Sequence, residues 1–242
     1  MFLLVIVLIS AMIPTSLAEA VSSGPINPEP YTAVYSVSYR GLHAGLIHFE
    51  LKSGEPGMYV YESNAEPSFL ARLVVSSNAV ERSVMQIDGN GVQPLYWFLD
   101  DGKAGREDDG VLEFTWEKER ISGEVEGERV ELPTQPGLQD RLSIHIEVMT
   151  ALLRDREPGT IPMISKDKIK PYSYTRAGAG RITTEAGEFQ TVLYESTRPG
   201  SSRLSRIWHA PALSYIPVRA EQLRKGKIET VMELVKVTRQ GD

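Results

Sequence analysis

Cysteine is absent from this 242-residue chain, and that absence sets the first limits. No disulfide can hold the fold, no thiolate can ligate zinc or an iron–sulfur cluster, and no cysteine can carry a lipid anchor. Blocks of one charge are also lacking. The 26 Lys and Arg are interspersed with 32 Asp and Glu for a formal net charge of −6. The densest basic cluster, Arg219 to Lys227, is interrupted by Glu221 and reads as a hairpin tip. This pattern argues against nucleic acid as a partner and against a generic anionic-membrane binder, and no nucleic-acid partner is expected. Beyond the first twenty residues no apolar run approaches membrane-spanning length, so no transmembrane span is expected once that segment is removed. His-Glu-x-x-His and Gly-x-Ser-x-Gly do not occur, and Ala177-Gly-Ala-Gly180 lacks the third glycine and the Lys-Ser/Thr of a phosphate loop. The sequence thus assigns no catalytic residue, no metal and no cofactor.

What is present begins at the N-terminus. Phe2 to Ile13 is apolar except for Ser10, and Pro14, Thr15 and Ser16 break the run before Ala18 and Ala20. An apolar core of this length followed by a small-x-small site reads as a signal peptide over residues 1–20, cleaved after Ala18 or Ala20. Its one departure is the lack of Lys or Arg before the core. The expectation is a periplasmic protein with a Ser/Gly/Pro-rich linker over 21–30 and a single β-rich domain over 31–242.

From Tyr31 the pattern has period two. Tyr31, Ala33, Tyr35, Val37 and Tyr39 share one face of a strand, and Ile47, Phe49 and Leu51 follow in the same rhythm. Further strands are predicted at Val92 to Leu99, Val111 to Glu117, Ile121 to Glu131, Phe189 to Glu195, Leu204 to His209, Ile216 to Leu223 and Ile228 to Val237. Asp88-Gly89-Asn90-Gly91, Glu126-Gly127, Ala186-Gly187 and Lys225-Gly226 supply hairpin turns. Short links make consecutive strands antiparallel neighbours. Only Asp140 to Leu153 has helical spacing, through Leu142, Ile146, Met149 and Leu153, and Pro158-Gly159 stops it. The fold expected is mainly β: an antiparallel, strongly curved sheet or incomplete β-barrel packed against one α-helix from about Gln139 to Arg154. Gly159 to Tyr174 reads as a crossing between two groups of strands.

Four histidines, at 43, 48, 145 and 209, have no metal-ligand spacing, and His145 reads as a histidine at the edge of the core. The acidic stretch Asp100 to Asp109 lacks the calcium-loop spacing and reads as a solvated hairpin tip. Tyr35, Tyr61, Trp97 and Trp116 fall within N-terminal strands, where a curved sheet could turn them toward an apolar or amphipathic ligand. Asp140 and Arg141, at the helix start, are a second candidate contact. Trp208, before Pro211 and Pro217, is a third, with a structural corner as its plainer role.

Several segments together resemble a known family. Tyr31 to Arg40 with Gly41-Leu-His-Ala-Gly45 is one. Gln139-Asp-Arg-Leu-Ser143, Gly187-Glu-Phe189 and Trp208-His-Ala-Pro211 with Tyr215-Ile-Pro-Val218 are the others. This order resembles the exported bacterial family of domain of unknown function 3108, from about Tyr31 to the C-terminus. The resemblance implies export and a β-rich fold, and implies no activity. The reading that results is a non-enzymatic periplasmic protein binding an amphipathic small molecule or an envelope protein. The alternative is a periplasmic hydrolase of envelope polymers using a carboxylate pair.

Overall fold

The structure is a computed structural model that describes residues 27–69, 71, 76–105 and 108–239. The signal peptide expected at 1–20, and the linker up to residue 26, lie outside the described residues. The first arm of the sheet comprises β1 (Tyr31–Tyr39), β2 (Leu42–Ser53), β3 (Met58–Pro67), β4 (Val80–Asp88), β5 (Gly91–Asp100), β6 (Gly110–Thr115), β7 (Arg120–Val125) and β8 (Glu128–Pro133). Helix α1 (Ser143–Leu153) follows. The second arm comprises β9 (Thr160–Ser165), β10 (Lys168–Thr184), β11 (Gly187–Thr197), β12 (Arg203–Ala210), β13 (Ile216–Arg224) and β14 (Lys227–Arg239).

All fourteen strands form one antiparallel sheet in the order β8 through β1, then β14 back through β9. The chain therefore starts at the middle of the sheet, meanders outward to one edge, crosses through α1 to the other edge, and meanders back to pair β14 with β1. Period-two burial marks β1, where Tyr31, Ala33 and Tyr35 are buried while Thr32 is exposed. Register shifts at Val34/Tyr35, Val37/Ser38, Val84/Met85, Trp208/His209 and Gln222/Leu223 add the local bends that curl the sheet. The sheet is curved without closing into a barrel, as the sequence predicts.

Helix α1 fills the concavity. Ile146 and Met149 pack with Tyr31, Tyr35, Phe49, Tyr61 and Leu234 of the sheet's centre. On its other flank Ile144, Val148 and Leu152 meet Ile161, Tyr174 and Tyr194 of the second arm. A third cluster, around Trp97, Leu112, Phe114 and Ile121, fills the outer part of the first arm. Enclosure of α1 by sheet explains why eight of its eleven residues are buried.

The hairpin turn expected at Glu126-Gly127 divides Ile121 to Glu131 into two strands, β7 and β8. Gly159 to Tyr174 is no crossing; it holds β9 and the start of β10, with Pro162 directly opposite Pro171. Two prolines in one stretch argue against a strand unless it lies at an edge, and β9 is the edge. Between β8 and β9 the segment through Gln139 takes the place of a closing strand: its N–H donates to the Pro162 carbonyl and its carbonyl accepts from Ile164 N–H, both at 2.9 Å. In β4 burial alternates through Ser83, Met85 and Ile87, but the polar Ser83 hides that alternation from hydropathy.

Candidate functional site

The chain turns from the sheet into α1 at Gln139-Asp140-Arg141-Leu142-Ser143, and the side chains there are fully committed. Asp140 Oδ1 accepts from the backbone N–H groups of Leu142 and Ser143, each at 2.8 Å. Its Oδ2 accepts from the Ser83 hydroxyl at 2.6 Å, and Ser143 Oγ accepts from Asp140 N–H at 2.9 Å. Two orphan donors of the first helical turn are satisfied by one carboxylate, tied in turn to β4. Asp140 has no accessible surface. Burial pushes its carboxyl up to about 6 against these hydrogen bonds, with the nearby Glu81 carboxylate adding to the rise.

Arg141 points the other way and is half exposed. Its Nε sits 3.2 Å from Glu81 Oε1, which also accepts from the Trp97 indole N–H at 2.8 Å. The guanidinium lies 5.8 Å from the Trp97 ring. Trp97 is seated by a glycine, since a Cβ on Gly110 would come within 2.5 Å of the indole. Burial raises the Glu81 carboxyl, and Arg141 and Trp97 oppose the rise. Trp97, Asp140 and Arg141 border a hollow of about 380 Å³, whose rim carries Lys166 paired with Glu126.

Deeper in the concavity lies a second, apolar cavity of about 70 Å³ between α1 and both arms. Tyr35, Phe49 and Tyr61 form one wall. Phe49 stacks on Tyr61 at 5.5 Å and meets the edge of Tyr35 at 5.7 Å. The hydroxyls are anchored away from the rings' contact: Tyr35 donates to the Pro217 carbonyl at 2.9 Å, and the Tyr61 and Tyr31 hydroxyls share a hydrogen bond of 3.1 Å. From α1, His145 lies edge-on to Phe49 and Tyr61, at 6.4 and 6.5 Å. His145 lines this cavity while part of the residue stays accessible. Burial, with help from Arg141, lowers the His145 pKa to about 4.

His209 of β12 completes the cavity from the second arm. Its Nδ1 is 2.8 Å from the Tyr215 carbonyl, which makes Nδ1 the protonated nitrogen. Burial holds its pKa down at about 4 despite that hydrogen bond. The ring is therefore neutral at pH 7 and Nε2 carries a lone pair. Nε2 is buried and has no hydrogen-bond partner among the described residues.

The remaining predicted residues lie apart from both sites. Trp116 borders an open groove of about 420 Å³, its indole N–H donating to the Pro94 carbonyl at 2.7 Å. Glu147 of α1 reaches the same groove. Its Oε2 accepts from Val92 N–H at 2.8 Å, an approach that Gly91 permits because a Cβ there would sit 2.8 Å from the carboxylate. Trp208 is half buried beneath the Arg219 guanidinium, 5.8 Å away. The structure thus brings Tyr35 and Tyr61 together, brings Trp97, Asp140 and Arg141 together, and leaves Trp116 and Trp208 separate. Among the described residues one acidic group has oxygens close enough to hold a hard cation, Asp100 with Asp101 and Asp109. Its oxygens already accept from Asp101 and Gly102 N–H groups, and Lys103 pairs with Asp101 at 2.8 Å.

Sequence reasoning passed over His145, His209, Phe49 and Tyr174 as cavity residues. Phe49 was visible in the Ile47, Phe49, Leu51 alternation, whereas nothing local marks His209 as facing a helix that lies about sixty residues earlier. Chemically the two sites differ. The Asp140 seat has no free acceptor to offer a substrate. The cavity has an unused one.

Comparison with known proteins adds the family. The model of the family described as "Protein of unknown function (DUF3108)" matches residues 34–234, and the chain belongs to that family. No curated protein matches the sequence. Among solved structures, a β-barrel-like protein of domain of unknown function DUF1849 from Brucella abortus is 9% identical with a TM-score of 0.54, covering 89% of this chain and 100% of that one. An exported protein with a YmcC-like fold from Bacteroides fragilis is 11% identical with a TM-score of 0.38, covering 88% of this chain and 97% of that one. The MucA/MucB complex of Pseudomonas aeruginosa has a chain 8% identical with a TM-score of 0.42, covering 88% of this chain and 52% of that one. The Brucella protein shares the fold. Among the described residues no helix is long and apolar enough to cross a membrane.

Proposed function

We propose that this member of the DUF3108 family is an exported, non-enzymatic binding protein that holds part of an amphipathic molecule in the concavity between α1 and the sheet. The observation that carries the reading is the aromatic cavity of about 70 Å³, lined in part by the accessible His145. A sheet this long could have packed solid against α1. Instead Tyr35, Phe49 and Tyr61 face a space bounded by Met149 and Met232, flexible thioethers that can give way to a guest. The apolar N-terminal stretch, Phe2 to Ile13, supports export. Binding is favoured over hydrolysis of envelope polymers because the best-placed carboxylates, Asp140 and Glu81, are spent on helix capping and on Trp97 and Arg141.

Native mass spectrometry of protein purified gently from the producing cell tests the reading, paired with an organic extract of the same sample. A bound mass in the wild type, lost in the cavity-filling variant Ala220→Phe at unchanged thermal stability, is the expected result. An apo mass in both, with no uptake of detergents or lipids on titration, overturns it.

A second reading rests on one edge. Beyond Ser173, β10 leaves β9 behind, and residues 175–181 are exposed and hydrogen-bonded to β11 on one side. Ala177-Gly-Ala-Gly180 lies there with open space around both glycines, and past the bulge at Arg176/Gly178 it offers an exposed edge to which a strand of an envelope protein could add. Photo-cross-linking from position 179 in cells, with loss of the cross-link in Ala177→Lys, would bear it out. Cross-links to nothing would end it.

A further inference from the structure

Three buried polar atoms have no partner among the described residues: Gln139 Oε1, Thr150 Oγ1 and His209 Nε2. Gln139 spends its amide nitrogen on the Val92 carbonyl at 2.7 Å, and neither it nor Thr150 borders any of the hollows described above. His209 is different. It is 2% exposed, it lines the apolar cavity, and its tautomer is set by the Tyr215 carbonyl so that Nε2 can only accept. A buried acceptor left unmade costs about 1–3 kcal/mol. The protein bears that cost on a wall of the one cavity that faces Tyr35, Phe49 and Tyr61.

We propose that His209 Nε2 is the polar recognition point for the bound molecule, which is an uncharged amphiphile whose inserted end carries an O–H or N–H donor on an apolar, ring-sized group: a phenol, an alcohol or an amide. This rests on the cavity-binding reading above and narrows its ligand. Among the described residues no Lys, Arg, Asp or Glu lines the cavity. A carboxylate would enter without a countercharge, and so would an ammonium, and burying either unpaired is far costlier than burying a neutral donor. The Tyr35 hydroxyl already donates to the Pro217 carbonyl. It is therefore not free to compete with the guest for Nε2. A volume of about 70 Å³ is several times the roughly 15 Å³ that one water needs. It admits the tip of an amphiphile and leaves the remainder to extend past the accessible His145.

The test uses two probes of one shape, phenol and toluene, titrated into the mature wild-type protein and two variants by ¹H–¹⁵N correlation spectroscopy at pH 7. His209→Asn keeps an amide N–H where Nδ1 donates to Tyr215 and deletes the Nε2 acceptor. His209→Gln places an amide oxygen where Nε2 was. The expected result is a phenol-to-toluene preference that falls about tenfold in His209→Asn and is largely kept in His209→Gln. Toluene affinity should stay within about twofold throughout. If both probes bind in the cavity with the same preference in all three proteins, the donor requirement is wrong while the cavity reading stands. If neither probe shifts the resonances of Phe49, Tyr61 or Ala220, the cavity holds water only and both readings fall.

Discussion

Two buried polar sites flank the same helix, and they are built on opposite principles. At the N-terminal end of α1, Asp140 is buried with both oxygens engaged by Leu142, Ser143 and Ser83. Alongside the helix, His209 is buried as deeply, with one nitrogen satisfied and the other not. Full satisfaction marks a group whose partners are all internal and whose work is to fix where α1 enters the sheet. Incomplete satisfaction on a cavity wall marks a group whose partner is absent. The Gln139-Asp-Arg-Leu-Ser143 motif therefore belongs to the architecture, and the proposed recognition point, His209, falls in the Trp208-His-Ala-Pro211 motif, where the sequence suggests only a corner.

The largest expected effect separates the two sites by stability. Asp140→Ala removes a cap and leaves two helix N–H groups and the Ser83 hydroxyl without an acceptor. Cap loss is worth about 1–2 kcal/mol and a stranded buried donor a similar amount, so a destabilisation of about 3 kcal/mol is expected in urea denaturation. Asp140→Asn, which keeps one carbonyl oxygen for the two N–H groups, should recover most of it. Equal losses in the Ala and Asn variants would show that the carboxylate does not act as a cap.

Acid titration should split the sites by sign. The His209 pKa is lowered from 6.5 to about 4. The unfolded chain takes up that proton first, so the contribution of His209 is complete above pH 6.5 and is lost as pH falls toward 4. The Asp140 pKa is raised from 3.8 to about 6. Here the folded chain holds the proton more tightly, so the contribution is complete below pH 3.8 and is lost as pH rises through 6. Between pH 4 and 6 the two oppose each other, each by up to about 3 kcal/mol. His145 adds to the side of His209 by the same logic, reduced by its accessible surface. Asp140→Asn should make the fall in stability on acidification from pH 6.5 to 4.5 steeper than in the wild type. His209→Asn should make it shallower. Denaturation midpoints at four pH values would decide, and parallel curves for all three proteins would contradict both assignments.

A third comparison concerns His209 itself. Because Nε2 is unpartnered, its removal costs no internal hydrogen bond, and His209→Asn should change stability at pH 7.5 by less than about 1 kcal/mol. A loss like that of Asp140→Ala would mean that Nε2 has an internal partner after all, such as a bound water essential to the fold.

How far the sequence anticipates this depends on the range of the interaction. Alternation at Tyr31 to Tyr39, hairpin glycines such as Gly226, and the i, i+4 stripe from Leu142 to Ile146 are local, and they predict the strands, the turns and the helix. The strand β4 fails because Glu81 and Ser83 are buried for the sake of Arg141, Trp97 and Asp140 on other elements. The segment 159–174 fails because its prolines signal a break, while the edge of a sheet tolerates them. Tyr35 and Tyr61 were legible as an aromatic face. Their convergence with His209 depends on β1 pairing with β14, which spans nearly the whole chain, and no local pattern records it.

Arg141 provides the smallest and most discriminating test. It neighbours Asp140 in sequence yet faces the opposite way, half exposed, paired with Glu81 and lying over Trp97. An ion pair with one half-exposed partner is worth about 0–1 kcal/mol. Arg141→Ala should therefore lower stability by about 0.5 kcal/mol and push the Glu81 carboxyl, already raised by burial, further up. Trp97 fluorescence reports that titration directly, since Glu81 accepts from its indole N–H. If Arg141→Ala instead matches Asp140→Ala in stability, the two neighbours act as one structural unit. The hollow of about 380 Å³ beside them then keeps Arg203 and the Lys166–Glu126 pair as the charged groups of its lining.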